Sequence, residues 1–453
     1  MNIIYMDFSA EYKKKLISAD AAAHLVKCGD WVQMGEFVMQ PKDCDAALAR
    51  RKDELKDVKI RLTAMSWLSE VCKADPDRQH FIMNDWHFSG TSRQLMDKNL
   101  CSYIPLTYHE AGSLYENFLD IDVSFQPVTS MDKDGFFNFS TSNSMASYTT
   151  RKARQLVVEV NSSAPICLGG MGESVHISQV DYIVESSNNP KLTNLPELPV
   201  SDTDRKIAAH VMELMCDGAC VQLGIGAMPN AVGALIAGSD LKDLGVHTEM
   251  LCDSFVDMYN AGRITGDKKT LDRGKMVYTF AMGTDKLYNF LDHNPVCASY
   301  PVHYCNNPHI IAQNDNVIAI NNALEVDIYG QVASEASAGR QISGTGGQLD
   351  YIIGAFHSNG GKPIIALSST VKKSDGTMSS RITPGLAPGT IVTVPRSIAS
   401  YIITEYGVFN MKGKSTWERA EGLINIAHPD FRDELIQAAE KARIWLRTNK
   451  LGA

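Results

Sequence analysis

Apolar and polar positions along the chain alternate between a helical period and short apolar runs typical of strands. Ser18 precedes an apolar helical segment over 21–26, and Gly29 ends it before the run Trp31-Val32-Gln33-Met34. A second helical segment over 44–56 leads to the strand-like run 58–63. Helices that alternate with short runs rich in β-branched residues are typical of α/β folds, in which helices cover a parallel sheet. Further strands of this kind are predicted at 121–125 and 156–160.

A stretch rich in turn formers interrupts this pattern. Residues 188–201 contain three prolines with Asn, Thr and Ser between them, a composition that resists both helix and strand. We therefore predict an N-terminal α/β domain over 1–187, a linker over 188–201 and a C-terminal α/β domain over 202–453.

The pattern resumes after the linker with a helix from Asp202 or Thr203 to Gly218. Further strands and two closing helices are predicted in the second domain, the strands at 317–320, 363–367 and 389–394 and the helices at 416–427 and 429–448. The expected architecture is two open, mainly parallel α/β domains.

Composition narrows the class of protein. With 453 residues, 44% hydrophobic and 21% charged, the chain is long enough for two or three domains and has ordinary globular values. The formal net charge is −9 and the basic residues are dispersed, so we expect no nucleic-acid partner and no anionic membrane surface. No apolar run reaches the roughly 20 residues of a membrane span, and no secretory signal opens the sequence. The ten cysteines follow no disulfide framework and are interpreted as reduced thiols of a cytoplasmic protein.

The richest candidate for chemistry is a β-α-β unit in the second domain. The apolar run Val221-Gln222-Leu223 ends in Gly224-Ile225-Gly226, a Pro229-started helical segment follows, and the next strand carries Glu249. Because parallel strands deliver their carboxyl ends to one edge of a sheet, loop and carboxylate are expected at the same edge, where α/β proteins bind ligands. Backbone N–H groups at the start of a helix suit an anion or an oxyanion.

Other interpretations of this unit remain open from the residues alone. The two glycines also fit a structural turn, and Glu249 also fits a strand-end glutamate that reaches solvent. The loop lacks the dinucleotide fingerprint, because Pro229 stands where the third glycine would be. A second glycine cluster, Ser343-Gly344-Thr345-Gly346-Gly347, is either a plain loop or another wall of the same pocket.

Metal chemistry is disfavoured by spacing. His303, Cys305 and His309 have neither helical nor knuckle spacing, and His247-x-Glu249 lacks the Pro-Cys-x-x-Cys that would complete a zinc deaminase signature. We expect no metal site.

Together, several motifs resemble the acetyl-CoA hydrolase/transferase family over nearly the whole chain, and within it the butyryl-CoA:acetate CoA-transferases, with 4-hydroxybutyrate CoA-transferases close behind. The matching segments are Gln222 to Ala227, His247-Thr248-Glu249-Met250, Gly274-Lys275-Met276, Val326-Asp327-x-x-Gly330-Gln331, Ser343-Gly344-x-Gly346-Gly347-Gln348-x-Asp350 and Ile424 to Phe431.

The resemblance implies roles for particular residues. Glu249 would be the catalytic nucleophile, and Asn321 would lie beside coenzyme A. One of Gly344, Gly346 and Gly347 would supply an oxyanion N–H. The loop that would bind CoA and give the other N–H comprises Gly224, Ile225, Gly226, Ala227 and Met228.

By the same resemblance, the chain is expected to move CoA from butyryl-CoA to acetate through a covalent glutamyl-CoA thioester. Coenzyme A would be a substrate rather than a bound cofactor, the partners would be an acyl-CoA and a short-chain carboxylate, and a homo-oligomer is expected. The alternatives are a 4-hydroxybutyrate CoA-transferase, an acyl-CoA hydrolase in which water resolves the intermediate, and a non-catalytic CoA-binding sensor.

Overall fold

The structure is a computed structural model that describes residues 7–196, 198–224, 226–373 and 375–445. Its strands, in chain order, are β1 (Trp31–Glu36), β2 (Val58–Thr63), β3 (Phe81–Asp85), β4 (Cys101–Tyr103), β5 (Ile121–Val128), β6 (Phe136–Asn138), β7 (Ala153–Val160), β8 (Ser174–His176), β9 (Tyr182–Glu185), β10 (Cys220–Leu223), β11 (Gly245–Leu251), β12 (Met276–Ala281), β13 (Cys297–Ser299), β14 (Val317–Asn322), β15 (Glu325–Asp327), β16 (Val332–Ala333), β17 (Ala336–Ser337), β18 (Arg340–Gln341), β19 (Lys362–Ala366), β20 (Thr370–Lys372), β21 (Met378–Ser380), β22 (Ile382–Thr383), β23 (Tyr401–Thr404) and β24 (Gly407–Asn410).

The α-helices are α1 (Ser9–Lys15), α2 (Ala19–Ala23), α3 (Lys42–Arg50), α4 (Glu70–Ala74), α5 (Gly90–Met96), α6 (Ala111–Asn117), α7 (Ala146–Lys152), α8 (Asp202–Met212), α9 (Ala227–Gly238), α10 (Asp253–Asn260), α11 (Asp285–Leu291), α12 (Val302–Cys305), α13 (Pro308–Ile311), α14 (Gln348–His357), α15 (Thr416–Asn425) and α16 (Pro429–Lys441). Short 3₁₀ turns lie at Lys52–Glu54, Tyr108–Glu110 and Ile177–Gln179.

The chain divides into two compact units. The first comprises residues 1–195, 251–253 and 277–305, and the second comprises 196–250, 254–276 and 306–453. The division near residue 195 falls within the predicted linker, and residues 186–196 and 198–201 form neither helix nor strand. The segments 251–253 and 277–305, which the sequence-based boundaries put in the second domain, belong to the first unit.

The first unit is built on a parallel sheet with strand order β4-β3-β2-β1-β5-β7-β9. In the centre, Val32 stands level with Ile60 on one side and Val123 on the other, and all three are buried. Helices α2, α3 and α4 contribute small and apolar side chains to this same core. Burial of each large aliphatic side chain stabilises the unit by about 1.5–3 kcal/mol, so the apolar runs of the sequence become the sheet.

In the second unit the strands follow the order β11-β10-β14-β19-β23-β24, and neighbours are parallel except for the closing hairpin β23-β24. Val221 of β10 stands level with Val246 of β11 and Ile318 of β14. Helix α14 packs on β14 through the buried Tyr351 and Ala355. The pairing of β10 with β11 and β14, and the packing of α14 on β14, fix the relative positions of these four elements.

The fold class is confirmed: both units contain an open, mainly parallel sheet with helices. The second strand is predicted to the residue, and Ser18 caps α2 by accepting a hydrogen bond from the Ala21 N–H. The predicted strand at 389–394 is wrong, because Ile391 and Val392 are exposed and only Val394 makes a single bridge, to Val332. The last part of the predicted helix 429–448 lies outside the described residues, and α16 ends at Lys441.

Candidate active site

Three parallel strands of the second unit end at one edge of its sheet. β10 pairs in parallel with both β11 and β14, so the carboxyl ends of all three strands lie side by side. The loop after β10 begins at Gly224, whose N–H bonds the Ile320 carbonyl of β14 at 3.0 Å. This is the edge at which open α/β sheets bind ligands.

Glu249 lies near the carboxyl end of β11 and is the partly exposed position of an otherwise buried strand. The Asn306 side-chain amide donates a hydrogen bond to Glu249 Oε2 at 2.7 Å. The backbone N–H of Gly347, the residue before helix α14, also donates to the Glu249 carboxyl. Two N–H donors from distant parts of the sequence therefore meet at one carboxyl group.

Only glycine fits at position 347. A β-carbon placed there would lie 1.7 Å from Glu249 Oε2 and 2.2 Å from Asn306 Nδ2, far inside van der Waals contact. The preceding Gly346 has a φ of 52°, in the left-handed region that glycine adopts most readily. The two glycines allow the backbone at the start of α14 to approach the carboxyl group directly. Among the glycines predicted in this segment, Gly347 contacts the Glu249 carboxyl.

The electrostatic setting of Glu249 opposes its charge. Burial raises the pKa of Glu249 to about 7, and the nearby carboxyl of Asp350 acts in the same direction. The hydrogen bonds from Asn306 and Gly347 lower the pKa, because they stabilise the carboxylate. Above about pH 7 the group is therefore a partly desolvated carboxylate, which is a stronger nucleophile than one in water.

The glycine loop after β10 lies at the same edge. Gly226 has a φ of 131°, and α9 begins at the next residue, with the Asn230 N–H bonded to the Gly226 carbonyl at 3.1 Å. Ala227 and the buried Met228 form the first turn of α9. Ile225, predicted to bind CoA with them, lies outside the described residues.

Asn321, predicted to lie beside coenzyme A, is the last residue but one of β14. Its side-chain amide donates to Gln222 Oε1 at 3.1 Å, and this pair is buried between β10 and β14. The following residue, Asn322, accepts a hydrogen bond through its carbonyl from Gln348 of α14 at 2.9 Å. These contacts join the ends of β10 and β14 to the segment that carries Gly347. Gly344 lies on the same segment, three residues before Gly347.

Sequence reasoning missed Asn306, Asp350 and Gln222 as members of this group. Asn306 stands in His303-Tyr304-Cys305-Asn306, a stretch considered only for metal ligands. Asp350 closes the glycine-rich motif, in which the sequence predicts binding only through the glycines. Nothing in their local patterns indicates that Asn306 and Asp350 lie beside Glu249, or that Gln222 pairs with Asn321.

Within the described ranges, no group of three His, Cys, Asp or Glu side chains is arranged to hold a metal ion. His303 and Cys305 belong to the first unit, whereas His309 belongs to the second. Nor does any helix in the part of the chain that the structure describes have the length and apolar character needed to cross a membrane.

The arrangement defines a class of site. A partly desolvated carboxylate with an amide and a backbone N–H beside it, at the carboxyl edge of a parallel sheet, is suited to nucleophilic attack on an acyl group, with the same donors stabilising an oxyanion.

Comparison with known proteins identifies the family. The acetyl-CoA hydrolase/transferase N-terminal domain matches residues 1–193 and the corresponding C-terminal domain matches residues 283–439. The butyryl-CoA:acetate CoA-transferase of Anaerostipes caccae is 50% identical over 98% of this chain and 100% of its own length. The 4-hydroxybutyrate coenzyme A transferase of Clostridium kluyveri is 40% identical over 96% of this chain and 100% of its own. The crystal structure of RipA from Yersinia pestis is 37% identical, with a TM-score of 0.90 over 97% of this chain and 100% of that one.

The chain therefore belongs to the acetyl-CoA hydrolase/transferase family. It is an enzyme that transfers coenzyme A, and its two α/β units are of the CoA-transferase type.

Proposed function

We propose that this enzyme moves CoA from butyryl-CoA to acetate, giving butyrate and acetyl-CoA, by a ping-pong mechanism in which Glu249 forms the covalent intermediates. The observation that carries the mechanism is the convergence of Asn306 and Gly347 on the Glu249 carboxyl. The choice of substrates rests on the relative that is 50% identical over nearly the whole chain and is named for this reaction.

In the first half-reaction the Glu249 carboxylate attacks the thioester carbonyl of butyryl-CoA. The C–S bond breaks, a butyryl-glutamyl anhydride forms and CoA leaves as a thiolate. The thiolate then attacks the glutamyl carbonyl of the anhydride, which releases butyrate and leaves CoA joined to Glu249 as a thioester. Because each intermediate is an activated acyl group, no ATP is consumed.

The second half-reaction reverses these steps with acetate. The acetate carboxylate attacks the glutamyl thioester, CoA leaves as a thiolate, and an acetyl-glutamyl anhydride forms. Attack of the thiolate on the acetyl carbonyl gives acetyl-CoA and restores the Glu249 carboxylate. The negative charge that enters with acetate ends on the regenerated Glu249 carboxylate, just as the charge of Glu249 left with butyrate in the first half-reaction, so atoms and charge balance.

The two donors have a defined task in this scheme. Whenever CoA adds to or leaves the glutamyl carbonyl, Oε2 carries the developing negative charge, and Asn306 Nδ2 lies 2.7 Å from that atom. Loss of one such oxyanion donor typically costs about 3 kcal/mol of transition-state stabilisation. The donors are fixed before the reaction begins, which avoids reorganisation during it.

The segments at the sheet edge supply binding in this proposal. The loop from Gly224 to Met228, with Asn321 and the 344–347 segment, binds CoA as a substrate, and its contacts to remote parts of CoA contribute binding energy expressed at the reacting carbonyl. No tightly bound cofactor takes part. We also propose that the enzyme is cytoplasmic and homo-oligomeric. Light scattering of the purified protein measures the molar mass of the assembly.

The decisive experiment is mass spectrometry of the protein after incubation with butyryl-CoA in the absence of an acceptor. We expect a CoA adduct on the peptide that contains Glu249, and its disappearance when acetate is added. Glu249→Gln is the matched control, since it keeps the shape of the side chain but has no carboxylate, and it should form no adduct. An adduct on another peptide, or full turnover by unmodified protein, would contradict the mechanism.

The same preparation separates the alternatives. A 4-hydroxybutyrate CoA-transferase would show a higher kcat/KM with 4-hydroxybutyryl-CoA than with butyryl-CoA, which would overturn the substrate assignment and leave the covalent mechanism in place. A hydrolase would release CoA from butyryl-CoA at the full rate without acetate. A non-catalytic sensor would bind CoA equally well with Glu249 or Gln and turn nothing over.

A further inference from the structure

A second carboxyl group lies close to the site but has no part in the scheme above. Asp350 is in the first turn of α14 and is fully buried. The Asn306 side-chain nitrogen is 3.4 Å from Asp350 Oδ2, in addition to its 2.7 Å contact with Glu249 Oε2. An amide nitrogen carries two hydrogens, so Asn306 has one hydrogen for each carboxyl group.

The orientation of the Asn306 amide follows from these two neighbours. Its other end, Oδ1, is buried and accepts no hydrogen bond from the residues that the structure describes. Rotation of the amide by half a turn would place Oδ1 against both carboxyl groups, which accept hydrogen bonds when ionised and would repel it. The amide therefore directs its nitrogen at the carboxyl groups even though this leaves its oxygen without a donor.

Only one of the two carboxyl groups stays chemically unchanged during catalysis. In the proposed function, Glu249 alternates between a carboxylate and neutral anhydride and thioester forms, whose carbonyl oxygen is a weaker acceptor than a carboxylate oxygen. Asp350 undergoes no reaction, so it is the constant acceptor for Asn306 through the cycle. Without it, the amide would lose the neighbour that fixes its orientation whenever Glu249 is acylated.

We propose that Asp350 is a positioning residue, which acts through Asn306 to keep the amide nitrogen directed at the glutamyl oxygen in every intermediate. This inference rests on the proposed function.

The position of Asp350 also has an electrostatic consequence. The groups that act on the Glu249 carboxyl are Asp350 and the neutral donors Asn306 and Gly347, and Asp350 opposes the negative charge. A nearby negative charge raises the energy of the Glu249 carboxylate but not of the neutral thioester, so Asp350 favours the covalent form.

The test is a double-mutant cycle between Asp350→Asn and Asn306→Ser. An asparagine at 350 can present either oxygen or nitrogen to Asn306, so it neither fixes the amide nor carries the charge. We expect Asp350→Asn to lower kcat about tenfold with the KM for butyryl-CoA changed by less than about twofold, and Asn306→Ser to lower kcat about 100-fold. Because the positioning effect acts through Asn306, the double variant should lose less kcat than the product of the two single losses, while the direct effect of Asp350 on the Glu249 carboxyl remains.

Asp327→Asn is the matched control for the cycle. Asp327 is also fully buried in the second unit, but its carboxyl bonds the Tyr329 and Gln331 N–H groups and the Gln331 side chain rather than Asn306. Asp327→Asn should lower kcat by the same factor in the Asn306→Ser variant as in the wild-type enzyme, whatever that factor is. A merely structural role for Asp350 predicts the same independence.

A second readout is the fraction of protein that carries CoA on Glu249 at a fixed ratio of butyryl-CoA to butyrate. This fraction should fall in Asp350→Asn and be unchanged in Asp327→Asn. Independent effects of Asp350→Asn and Asn306→Ser, or an unchanged adduct fraction, would overturn the positioning role. Absence of the adduct in the wild-type enzyme would instead overturn the proposed function.

Thermal unfolding and CoA binding establish which variants are folded. Where Asp350→Asn is not folded, Asp350→Ser takes its place in the cycle, and Asp350→Glu is the conservative variant beside it, because glutamate retains an acceptor at this position. Asp350→Glu is expected to retain the coupling to Asn306 and to keep more of the adduct than Asp350→Ser. Equal losses in these two variants would overturn the role of the carboxyl group.

Discussion

Two carboxyl groups, one in each unit, show how differently a protein can treat a poorly exposed negative charge. Asp75 of the first unit is 8% exposed and accepts hydrogen bonds from the N–H groups of Gln79, His80 and Phe81 at 2.9, 2.7 and 2.8 Å. Burial by itself would raise the pKa of Asp75, but these N–H groups hold it below its ordinary value. Glu249 of the second unit has one amide and one backbone N–H, and burial raises its pKa to about 7.

Burial raises the pKa of both carboxyl groups, and the number and charge of their neighbours decide whether that rise is offset. Asp75 is stabilised as an ion by backbone donors and orders the turn before β3. Glu249 has fewer donors and faces the carboxyl of Asp350, so its negative charge is less well stabilised. The environment of Glu249 suits a group that exchanges its charge for a covalent bond to CoA, whereas the environment of Asp75 suits a group that stabilises a turn.

The largest expected effect is on turnover. Glu249→Gln should lower kcat by about 10⁴-fold or more, because removal of a covalent nucleophile abolishes the main pathway. Asp75→Asn, the same change of carboxylate to amide in the other unit, should change kcat by less than about twofold in the folded protein. Steady-state exchange between butyryl-CoA and acetate measures both. Comparable losses in the two variants would break the distinction between them.

A smaller effect is expected from pH. Since only the ionised form of Glu249 attacks the thioester and burial raises its pKa to about 7, kcat/KM for butyryl-CoA should fall below about pH 7 by about tenfold for each pH unit. Asp350→Asn should move this limb to lower pH, because it removes a contribution that raises the pKa. Initial rates from pH 5 to 9 at constant ionic strength give the profile.

Asp75→Asn serves as the control for this pH dependence, and its profile should parallel that of the wild-type enzyme. A wild-type kcat/KM that stays level down to pH 5 would show that Glu249 ionises like an ordinary glutamate, and the contrast with Asp75 would then disappear.

The smallest effects are on stability, and they have opposite signs. Asp75 has a lowered pKa, so its contribution is present above the unfolded-state pKa and is lost as pH falls through the folded-state value. Asp75→Asn should therefore reduce the free energy of unfolding at pH 7 by about 1–3 kcal/mol, because the amide nitrogen faces N–H donors.

Glu249 has a raised pKa, so its contribution is present below the ordinary value of 4.5 and is lost as pH rises through about 7. Glu249→Gln should escape this loss and gain about 1–3 kcal/mol over the wild-type protein between pH 5 and pH 8. Denaturant unfolding measures the stability of Asp75→Asn at pH 7 and that of Glu249→Gln at pH 5 and pH 8. A loss of stability in Glu249→Gln at pH 8 would contradict the assigned environment.

Much of the fold was predictable because its determinants are local. The strand Val58–Thr63 and the cap at Ser18 follow from apolar runs and from a side chain that bonds its own helix. The apolar run at 389–394 misled the prediction, since Ile391 and Val392 are exposed and the next strand of the sheet begins only at Tyr401. Local composition measures the tendency to form a strand, whereas a place in the sheet depends on the neighbours available.

The candidate site divides in the same way. The sequence by itself determined the β-α-β unit, the glycine loop after β10 and Glu249 on the following strand, because backbone preference and burial period are written in neighbouring residues. Only the tertiary structure brought Asn306, 57 positions away, to within 2.7 Å of Glu249, placed Gly347 against the same carboxyl group and put Asp350 within 3.4 Å of the Asn306 amide. These contacts depend on how β11 and α14 pack around the sheet edge, and packing between distant segments leaves no periodic trace in the sequence.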